Sequence, residues 1–277
     1  MLIRCVAGVL LLATAAVVPQ DSPAAYQVHA VRYATIADFP VSSLIAGADP
    51  ARRTEIAMMI WLLQGNGRTV LFDAGFHGEQ YIAQWKPKDF VRPDAALAPL
   101  KVAAAEVTDV IVSHVHWDHL DGASLFPRAR VWIQKEEFDY YVGENGQPKN
   151  RGIDARGASL LADLHSAGRL QLVEGDAREI LPGITVYTGG RHTYASQYVG
   201  ARTAHGVVVL ASDNVYLYEN LDRGVPIAQT LDRDANLAAQ RRMRTIASEP
   251  TWIVPGHDQL VFTRFPSVTD GIVSIPR

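Results

Sequence analysis

The chain has 277 residues, of which 48% are hydrophobic and 20% are charged. This composition is that of an ordinary globular protein, and the length is sufficient to bury a substantial core. The formal net charge of −3 provides no basic field that would attract a polyanion, so we expect no nucleic-acid partner.

The N-terminus has the pattern of a secretory signal peptide. Arg4 precedes an apolar run over residues 6–18, which is about the length of a signal-peptide core and too short to span a bilayer comfortably. Small residues favour cleavage after Ala15 or after Ala24, and an uncleaved anchor is the alternative. We therefore predict a signal peptide over residues 1–24 and a periplasmic or secreted protein without stable membrane insertion after cleavage.

Either cleavage would remove Cys5, the only cysteine of the chain. The exported protein would then hold any metal through nitrogen and oxygen ligands. The remaining sequence contains no repeat of fixed period, no low-complexity tract and no obvious linker. We predict that residues 25–277 form one α/β domain.

Strand-like and helix-like segments alternate along this domain. Residues 56–63 and 69–72 are apolar segments joined by "GNG", a turn signal that predicts a β-hairpin. The later segments predict strands over 107–112 and 129–133, a helix over 135–142, a loop over 143–157, a helix over 158–167, strands over 170–173, 184–188 and 206–211, a helix over 232–250 that Pro250 stops, and the strand "TWIV" before "PGHD".

The stretch "VIVSHVHWDH" packs three histidines and an aspartate into six positions directly after an apolar run. Alternate residues of a strand share a face, so His114 and His116 point the same way if the extended backbone persists to His116. Asp118 and His119 follow in the turn. Burying three imidazoles and a carboxylate together is costly without a cation, so we expect these residues to form parts of two adjacent cation sites.

Three further candidate ligands lie just past later β-rich segments. His192 follows "ITVYTGGR", Asp213 follows "GVVVLAS" and His257 follows "TWIVPG". Strands that end in such residues would deliver them to one edge of a sheet. A carboxylate has two oxygens, so Asp213 is suited to bridge both cations.

The motif "HVHWDH" and the downstream histidine, aspartate and histidine resemble the signature of the metallo-β-lactamase superfamily, and the likeness runs from "LFDAG" to "PGHD". The resemblance implies an αββα sandwich, in which two mixed β-sheets pack face to face between helices, with a dinuclear metal centre at one edge. Asp73 of "DAG" would support the centre without ligating a metal. The resemblance assigns the ligands in two sets that share a bridge: His114, His116 and His192 for the first metal, Asp118, His119 and His257 for the second, and Asp213 between them.

Within the superfamily, the segment "SDNVYLYENLDRGVP" resembles the quorum-quenching N-acyl homoserine lactonases through its Asp-x-x-Tyr arrangement. In those enzymes the tyrosine reaches the metal centre and donates a hydrogen bond to the lactone. That role would fall to Tyr216, for which packing under a helix is the alternative. Tyr194 and Ala195 replace a proline and a glycine that such lactonases often carry, which puts the acyl-chain preference in doubt. Trp117 is either part of a substrate wall or a packing aromatic.

The resemblance implies a metal-dependent hydrolase that opens the ring of a small-molecule lactone, above all of N-acyl homoserine lactones in quorum quenching. Two divalent ions, with zinc favoured over other first-row metals, would generate a metal-bound hydroxide that attacks the carbonyl. Tyr216 would stabilise the oxyanion and Asp118 would hand a proton to the leaving oxygen. The alternatives are a hydrolase of the same fold acting on β-lactams, aryl esters or phosphotriesters, and an exported metal-binding protein without catalysis. The sequence does not choose between a monomer and a homodimer.

Overall fold

A computed structural model describes residues 25–276, so the predicted signal peptide and Cys5 lie outside the described residues. None of the helices in this range has the length and apolar character needed to cross a bilayer. Strands and helices are connected by loops and short 3-10 helices, and their bounds are β1 Gln27–Pro40, β2 Arg53–Gly65, β3 Arg68–Phe72, α1 Glu79–Trp85, β4 Asp109–Ile111, α2 Trp117–Leu120, β5 Arg130–Gln134, α3 Lys135–Tyr141, α4 Ala155–Ser166, β6 Leu170–Val173, β7 Arg178–Leu181, β8 Ile184–Thr188, β9 Gln197–Thr203, β10 Gly206–Ser212, α5 Tyr218–Arg223, α6 Arg233–Ile246, β11 Ile253–Pro255, α7 Val261–Arg264, β12 Ser267–Thr269 and β13 Ile272–Ile275.

The strands form two sheets. The first has the order β12-β13-β1-β2-β3-β4-β5-β6, and the second has the order β11-β10-β9-β8-β7. In the first sheet, β3 to β6 run parallel, whereas the pairs from β12 to β3 are antiparallel. In the second sheet, β10 and β11 run parallel and the other pairs are antiparallel. Both sheets are therefore mixed, as the sequence predicts.

The central strand β2 explains how the layers stack. Its successive side chains point to opposite faces, and both faces are buried. Met58 and Ile60 pack in a layer that includes α1, α3 and α4, while Met59 and Trp61 pack against the second sheet. Met243 of α6 belongs to the same apolar cluster as the second sheet. The prediction of two mixed sheets flanked by helices is confirmed.

The predicted β-hairpin is also confirmed. Strands β2 and β3 pair antiparallel with Gly65 opposite Arg68. Between them, Asn66 and Gly67 both have positive φ, at 52° and 68°. That backbone is the one a tight two-residue hairpin turn requires, and asparagine and glycine adopt it at low cost. The predicted strands over 170–173 and 184–188 have the observed bounds of β6 and β8.

Several boundaries differ from the prediction for identifiable reasons. Helix α4 begins at Ala155 and shortens the predicted loop, because Asp154 caps it by accepting a hydrogen bond from the Gly157 N–H at 2.8 Å. Helix α6 ends at Ile246, before Pro250. Strand β1 was not predicted, since its pairing with β2 shifts register twice and this interrupts the alternation of its side chains.

Glu219, in the first turn of α5, joins this helix to the segment between β1 and β2. The Arg52 guanidinium donates two hydrogen bonds to its carboxylate, at 2.9 and 2.7 Å, and Arg223 donates a third at 2.6 Å. These bonds, first of all those from Arg52, lower the pKa of Glu219 to about 2. The carboxylate therefore stays ionised in the folded protein over a wide pH range.

We expect Glu219→Gln to destabilise the protein in a pH-dependent way. Because the pKa of Glu219 falls from its ordinary 4.5 to about 2 on folding, its contribution is present above pH 4.5 and is lost as the pH falls towards 2. Urea unfolding should show a loss of at most about 1 kcal/mol near pH 7, because water screens these charges, and the loss should shrink on acidification. The exposed Glu249→Gln is the control; a loss independent of pH would contradict the argument.

Candidate metal centre

The seven predicted ligands lie on loops that follow β4, β8, β10 and β11, or in the short helix α2. One step of the sequence argument is wrong, because β4 ends at Ile111 and the backbone through His114 and His116 is bent. The backbone of Ser113 instead donates to the Asp73 carboxylate at 2.7 Å and accepts from the Gln197 N–H at 2.8 Å. A turn, not a strand face, brings the two histidines together.

Four of the ligands form a first group. The Nε2 atom of His114 lies 3.0 Å from Nδ1 of His116, and Nε2 of His192 lies 2.9 Å from the same atom. The Oδ2 atom of Asp213 lies 3.3 Å from Nε2 of His192 and 3.7 Å from Nε2 of His114. Three ring nitrogens and one carboxylate oxygen thus converge on one point.

The other three ligands form a second group beside the first. The Nε2 atom of His119 lies 3.5 Å from Oδ2 of Asp118, and Nε2 of His257 lies 3.8 Å from it. The Oδ1 atom of Asp213 faces this group, at 3.3 Å from His119 and 3.0 Å from His257. Asp213 therefore presents one oxygen to each group, which is the arrangement of a bridging carboxylate.

Backbone carbonyls fix which ring nitrogen two of these histidines present. Nδ1 of His192 bonds to the Gln229 carbonyl at 2.7 Å, and Nδ1 of His257 bonds to the Ala57 carbonyl at 2.9 Å. A carbonyl only accepts, so Nδ1 must carry the proton in both rings. Nε2 is therefore the ring nitrogen that faces the centre in both residues and would ligate a metal from the neutral ring, and such bonds also hold a ligating ring in place.

Asp73 organises the buried side of the centre. Its Oδ2 accepts hydrogen bonds from Nδ1 of His119 at 2.8 Å and from the Ser212 hydroxyl at 2.7 Å. The Ser113 hydroxyl continues this network to Nδ1 of His114, at 2.8 Å. Asp73 is fully buried and lies outside both ligand groups. Its position is that of a residue that orients a ligand, in agreement with the supporting role that the resemblance implies.

The two groups have opposite electrostatics. Burial lowers the pKa of His116 and of His192 to about 4, and it holds the pKa of His114 well below its ordinary value. Burial acts the same way on His119, but the carboxylates around it, first of all Asp213, outweigh it and hold the pKa of His119 well above the ordinary range. The first group is therefore neutral imidazole, the form that ligates metals, and His119 offers a proton that a cation can replace.

Two orphaned atoms test whether a metal fits. Among the described residues, Nε2 of His119 and Oδ1 of Asp213 are buried and lie 3.3 Å apart, yet neither makes a hydrogen bond of good geometry. Buried polar atoms are normally paired, because an unpaired one costs free energy. Both atoms are metal-ligating types and both lie in the clusters above. Imidazole nitrogens and carboxylate oxygens are a suitable donor set for a divalent first-row metal, so the residues fit such a group.

A cavity of about 210 Å³ opens onto the centre. Tyr216 lines it together with Asp118 and Asp213, and its hydroxyl lies 3.4 Å from Nδ1 of His192. Burial, and then the charges of Asp213 and Asp118, hold the pKa of Tyr216 well above its ordinary value. The phenol therefore stays protonated and available as a donor inside the cavity.

The remaining wall of the cavity is mostly apolar. Trp117 lies on this wall and also stacks on Trp85, with ring centroids 5.6 Å apart and an angle of 15° between the planes. Trp117 is thus both a wall residue and a packing aromatic, so the two interpretations of the sequence do not exclude each other. The apolar side chains of the wall are Ile36, Phe39, Leu44, Ile56, Met58, Trp85 and Trp117.

The sequence analysis missed several residues that hold the ligands. Ser113, Ser212 and the Gln229 carbonyl bond to a ligand, and Glu137 bonds to residues beside two of the ligands. Serine, glutamine and glutamate are common on surfaces and carry no spacing signature. The only signal was proximity in sequence to a ligand, which applies to Ser113 and Ser212 and not to the other two.

Comparison with known proteins places this geometry in context. Residues 57–257 match the model of the metallo-β-lactamase superfamily. The chain is 26% identical over 234 residues to an N-acyl homoserine lactonase of Bacillus thuringiensis, which covers 78% of this chain and 87% of the relative. It is 25% identical over 233 residues to an N-acyl homoserine lactonase of Bacillus cereus, with the same coverage.

Solved structures share the fold. A quorum-quenching N-acyl homoserine lactone lactonase superposes with a TM-score of 0.73 at 20% identity, over 90% of this chain and 98% of that chain. AidC, a dizinc quorum-quenching lactonase, superposes with a TM-score of 0.65 at 14% identity, over 93% of this chain and 99% of that chain. At these identities the likeness concerns the fold.

We expect Asp73→Asn to weaken metal binding. The amide replaces one acceptor oxygen with an N–H donor that would face the His119 or Ser113 donor, and it removes the charge that orients His119. Substitutions of this kind typically lower metal affinity by about 10- to 100-fold. Titration of the metal-free protein with Zn²⁺ against a competing chelator measures the change. Asp163→Asn, on an exposed face of α4, is the control; equal affinities for the two variants would refute the role of Asp73.

Proposed function

This chain belongs to the metallo-β-lactamase superfamily, and we propose that it is a dinuclear-metal hydrolase that opens the lactone ring of N-acyl homoserine lactones. The observation that carries the proposal is that Asp213 presents one carboxylate oxygen to each of two ligand groups, while Tyr216 lines the cavity beside them. Sequence similarity to relatives that are themselves named N-acyl homoserine lactonases supports the choice of substrate.

The proposed ligands are those of the two groups. His114, His116 and His192 would hold the first cation, Asp118, His119 and His257 would hold the second, and Asp213 would bridge them. We propose zinc for both, because a nitrogen- and oxygen-rich donor set suits it and because a solved relative of the same fold is described as dizinc. When bound, the pair would lower the pKa of a water molecule and polarise the substrate carbonyl.

Tyr216 would act on the carbonyl oxygen of the lactone. Water adds to the carbonyl carbon, and the oxygen then carries developing negative charge. A protonated, buried phenol donates a hydrogen bond to that charge more strongly than it would in water, because the cavity has a low dielectric. The donor need not reorganise, since its ring packs between His192 and His257 at centroid distances of 5.6 and 5.9 Å.

Asp118 would move the proton that the reaction requires. The ring C–O bond breaks after water adds, and the departing oxygen needs a proton to become a hydroxyl. Asp118 lines the cavity, its side chain is 15% exposed, and it can pass on the proton that the attacking water loses. The product is an open-chain hydroxy acid, and no covalent enzyme intermediate is needed.

The cavity wall is compatible with a substrate that has one polar and one apolar end. The cavity is lined by residues of the centre, which include His116, Asp118 and Asp213, and by apolar side chains. The acyl chain of such a substrate could be buried against these apolar residues while its lactone ring lies at the metal centre. Export through the predicted signal peptide would bring the enzyme to the compartment that diffusible lactones enter. We propose that the enzyme acts as a monomer or a homodimer.

A substrate panel on the metal-loaded protein tests this function. We expect hydrolysis of N-acyl homoserine lactones with a kcat/KM at least about 100-fold above that for a β-lactam, an aryl ester or a phosphotriester, which corresponds to about 2.7 kcal/mol of transition-state stabilisation. The His116→Ala variant should lose metal and activity together. Faster hydrolysis of a β-lactam, an aryl ester or a phosphotriester would show that the protein is a hydrolase of that other class. Absence of turnover with every substrate would indicate a metal-binding protein without catalysis.

We expect Tyr216→Phe to separate metal binding from catalysis. The phenyl ring preserves the packing but removes the donor, so metal content should stay at the wild-type value while kcat falls on the order of 100-fold. Steady-state kinetics and elemental analysis of the same preparation measure the two effects. Tyr198→Phe removes a buried hydroxyl outside the cavity and is the matched control. Unchanged kcat in the Tyr216 variant would remove the tyrosine from the mechanism.

A further inference from the structure

Glu137 is a buried carboxylate that the proposed reaction does not use. It lies in the first turn of α3 and is fully buried. Burial raises its pKa to about 7, and the groups that oppose this shift are three hydrogen-bond donors, with no cation among them in residues 25–276. A buried acid without a cationic partner costs stability, so its position calls for an explanation.

The three donors come from two loops that carry ligands. Oε1 of Glu137 accepts from the Val115 N–H at 3.2 Å and from the Thr193 hydroxyl at 2.6 Å. Oε2 accepts from the Ala195 N–H at 2.6 Å. Val115 lies between His114 and His116 in sequence, and Thr193 directly follows His192. One side chain thus joins both segments that hold the histidines of the first group.

The donors also explain why the residue is an acid. Both carboxylate oxygens accept from a backbone N–H, and neither N–H can reverse its role. A glutamine would place an N–H₂ group against Val115 or against Ala195 in either orientation, and one backbone donor would remain buried without a partner. Only a carboxylate satisfies both loops at once.

Other groups support the second set of ligands. Asp73 orients His119, and the Ala57 carbonyl orients His257. None of the three bonds to Glu137 involves the second group. The two groups therefore depend in part on different supports, although Asp213 faces both and Asp73 accepts from Ser113 beside His114 as well as from His119.

We propose that Glu137 is a positioning residue for the first cation: by joining the His114–His116 turn to the His192 loop, it sets the spacing of their ring nitrogens. The proposal rests on the ligand assignment given under the proposed function, and it concerns metal affinity, not the substrate. Removing the Glu137 carboxylate should let the two loops move apart. The affinity for the first cation should then fall, while the affinity for the second should not.

The test compares Glu137→Gln with Glu136→Gln. Glu136 is the preceding residue of the same helix, and its side chain is exposed. The metal-free proteins are titrated with Zn²⁺ against a chromophoric chelator, and then with Co²⁺ to record the absorption spectrum of each equivalent. We expect Glu137→Gln to bind one of two cations about 10- to 100-fold more weakly and the other with wild-type affinity, while Glu136→Gln matches the wild type for both.

A second variant covers the case in which Glu137→Gln does not fold. Thr193→Val removes one of the three hydrogen bonds and keeps the carboxylate. It should therefore lower the affinity for the same cation by a smaller factor. Wild-type affinity at both sites in the variants, or an equal loss at both sites together with a lower Tm, would overturn the proposal, because a general structural role predicts an equal loss.

The titration is independent of the lactone assay. A wild-type protein that binds two cations but opens no lactone would refute the proposed substrate and leave the role of Glu137 to be decided by the variants. A wild-type protein that binds fewer than two cations would refute the ligand assignment, and the role of Glu137 with it.

Discussion

The structure depends on keeping seven metal-ligating side chains together in the interior. Five imidazoles and two carboxylates meet within two overlapping groups, and only His116 and Asp118 among them are more than slightly exposed. Water cannot solvate such groups there, so each costs free energy unless a partner satisfies it. Nε2 of His119 and Oδ1 of Asp213 face each other at 3.3 Å without a hydrogen bond of good geometry, so among the described residues these two atoms are poorly satisfied. The fold and its hydrogen-bond network act as a rigid support for cations.

The topology supplies this support through the ends of strands. Strands β4, β10 and β11 belong to two different sheets, yet a ligand or a ligand-bearing loop follows each of them. Face-to-face packing of the sheets brings these strand ends close together. The buried apolar layer between the sheets, which includes Trp61 and Tyr198, fixes the position of one sheet against the other. Loops that are positioned by a rigid scaffold commonly carry the functional residues of a protein.

A layer of residues around the ligands decides how they point. Asp73, the Gln229 carbonyl and the Ala57 carbonyl each fix one ring by accepting from its Nδ1. His116 differs, because it presents Nδ1 towards the other rings of its group. The same orienting principle extends outward to Glu137, which holds loops instead of rings. The orientation of these rings is thus set by neutral and anionic hydrogen-bond acceptors around the centre.

The sequence by itself predicted the candidate ligands and much of the framework. The dense motif around His114, the hairpin with Asn66 and Gly67, and the candidate ligands after later strands were all readable, because local spacing and turn chemistry are local properties. Tertiary structure alone decided the distances at which the two groups meet around Asp213, the bend at Ser113 that replaces an extended strand, and the distant residues that support the ligands. Glu137 is 22 residues from Val115 and 58 from Ala195. Contacts over such separations depend on packing of whole layers, which no short stretch of sequence encodes.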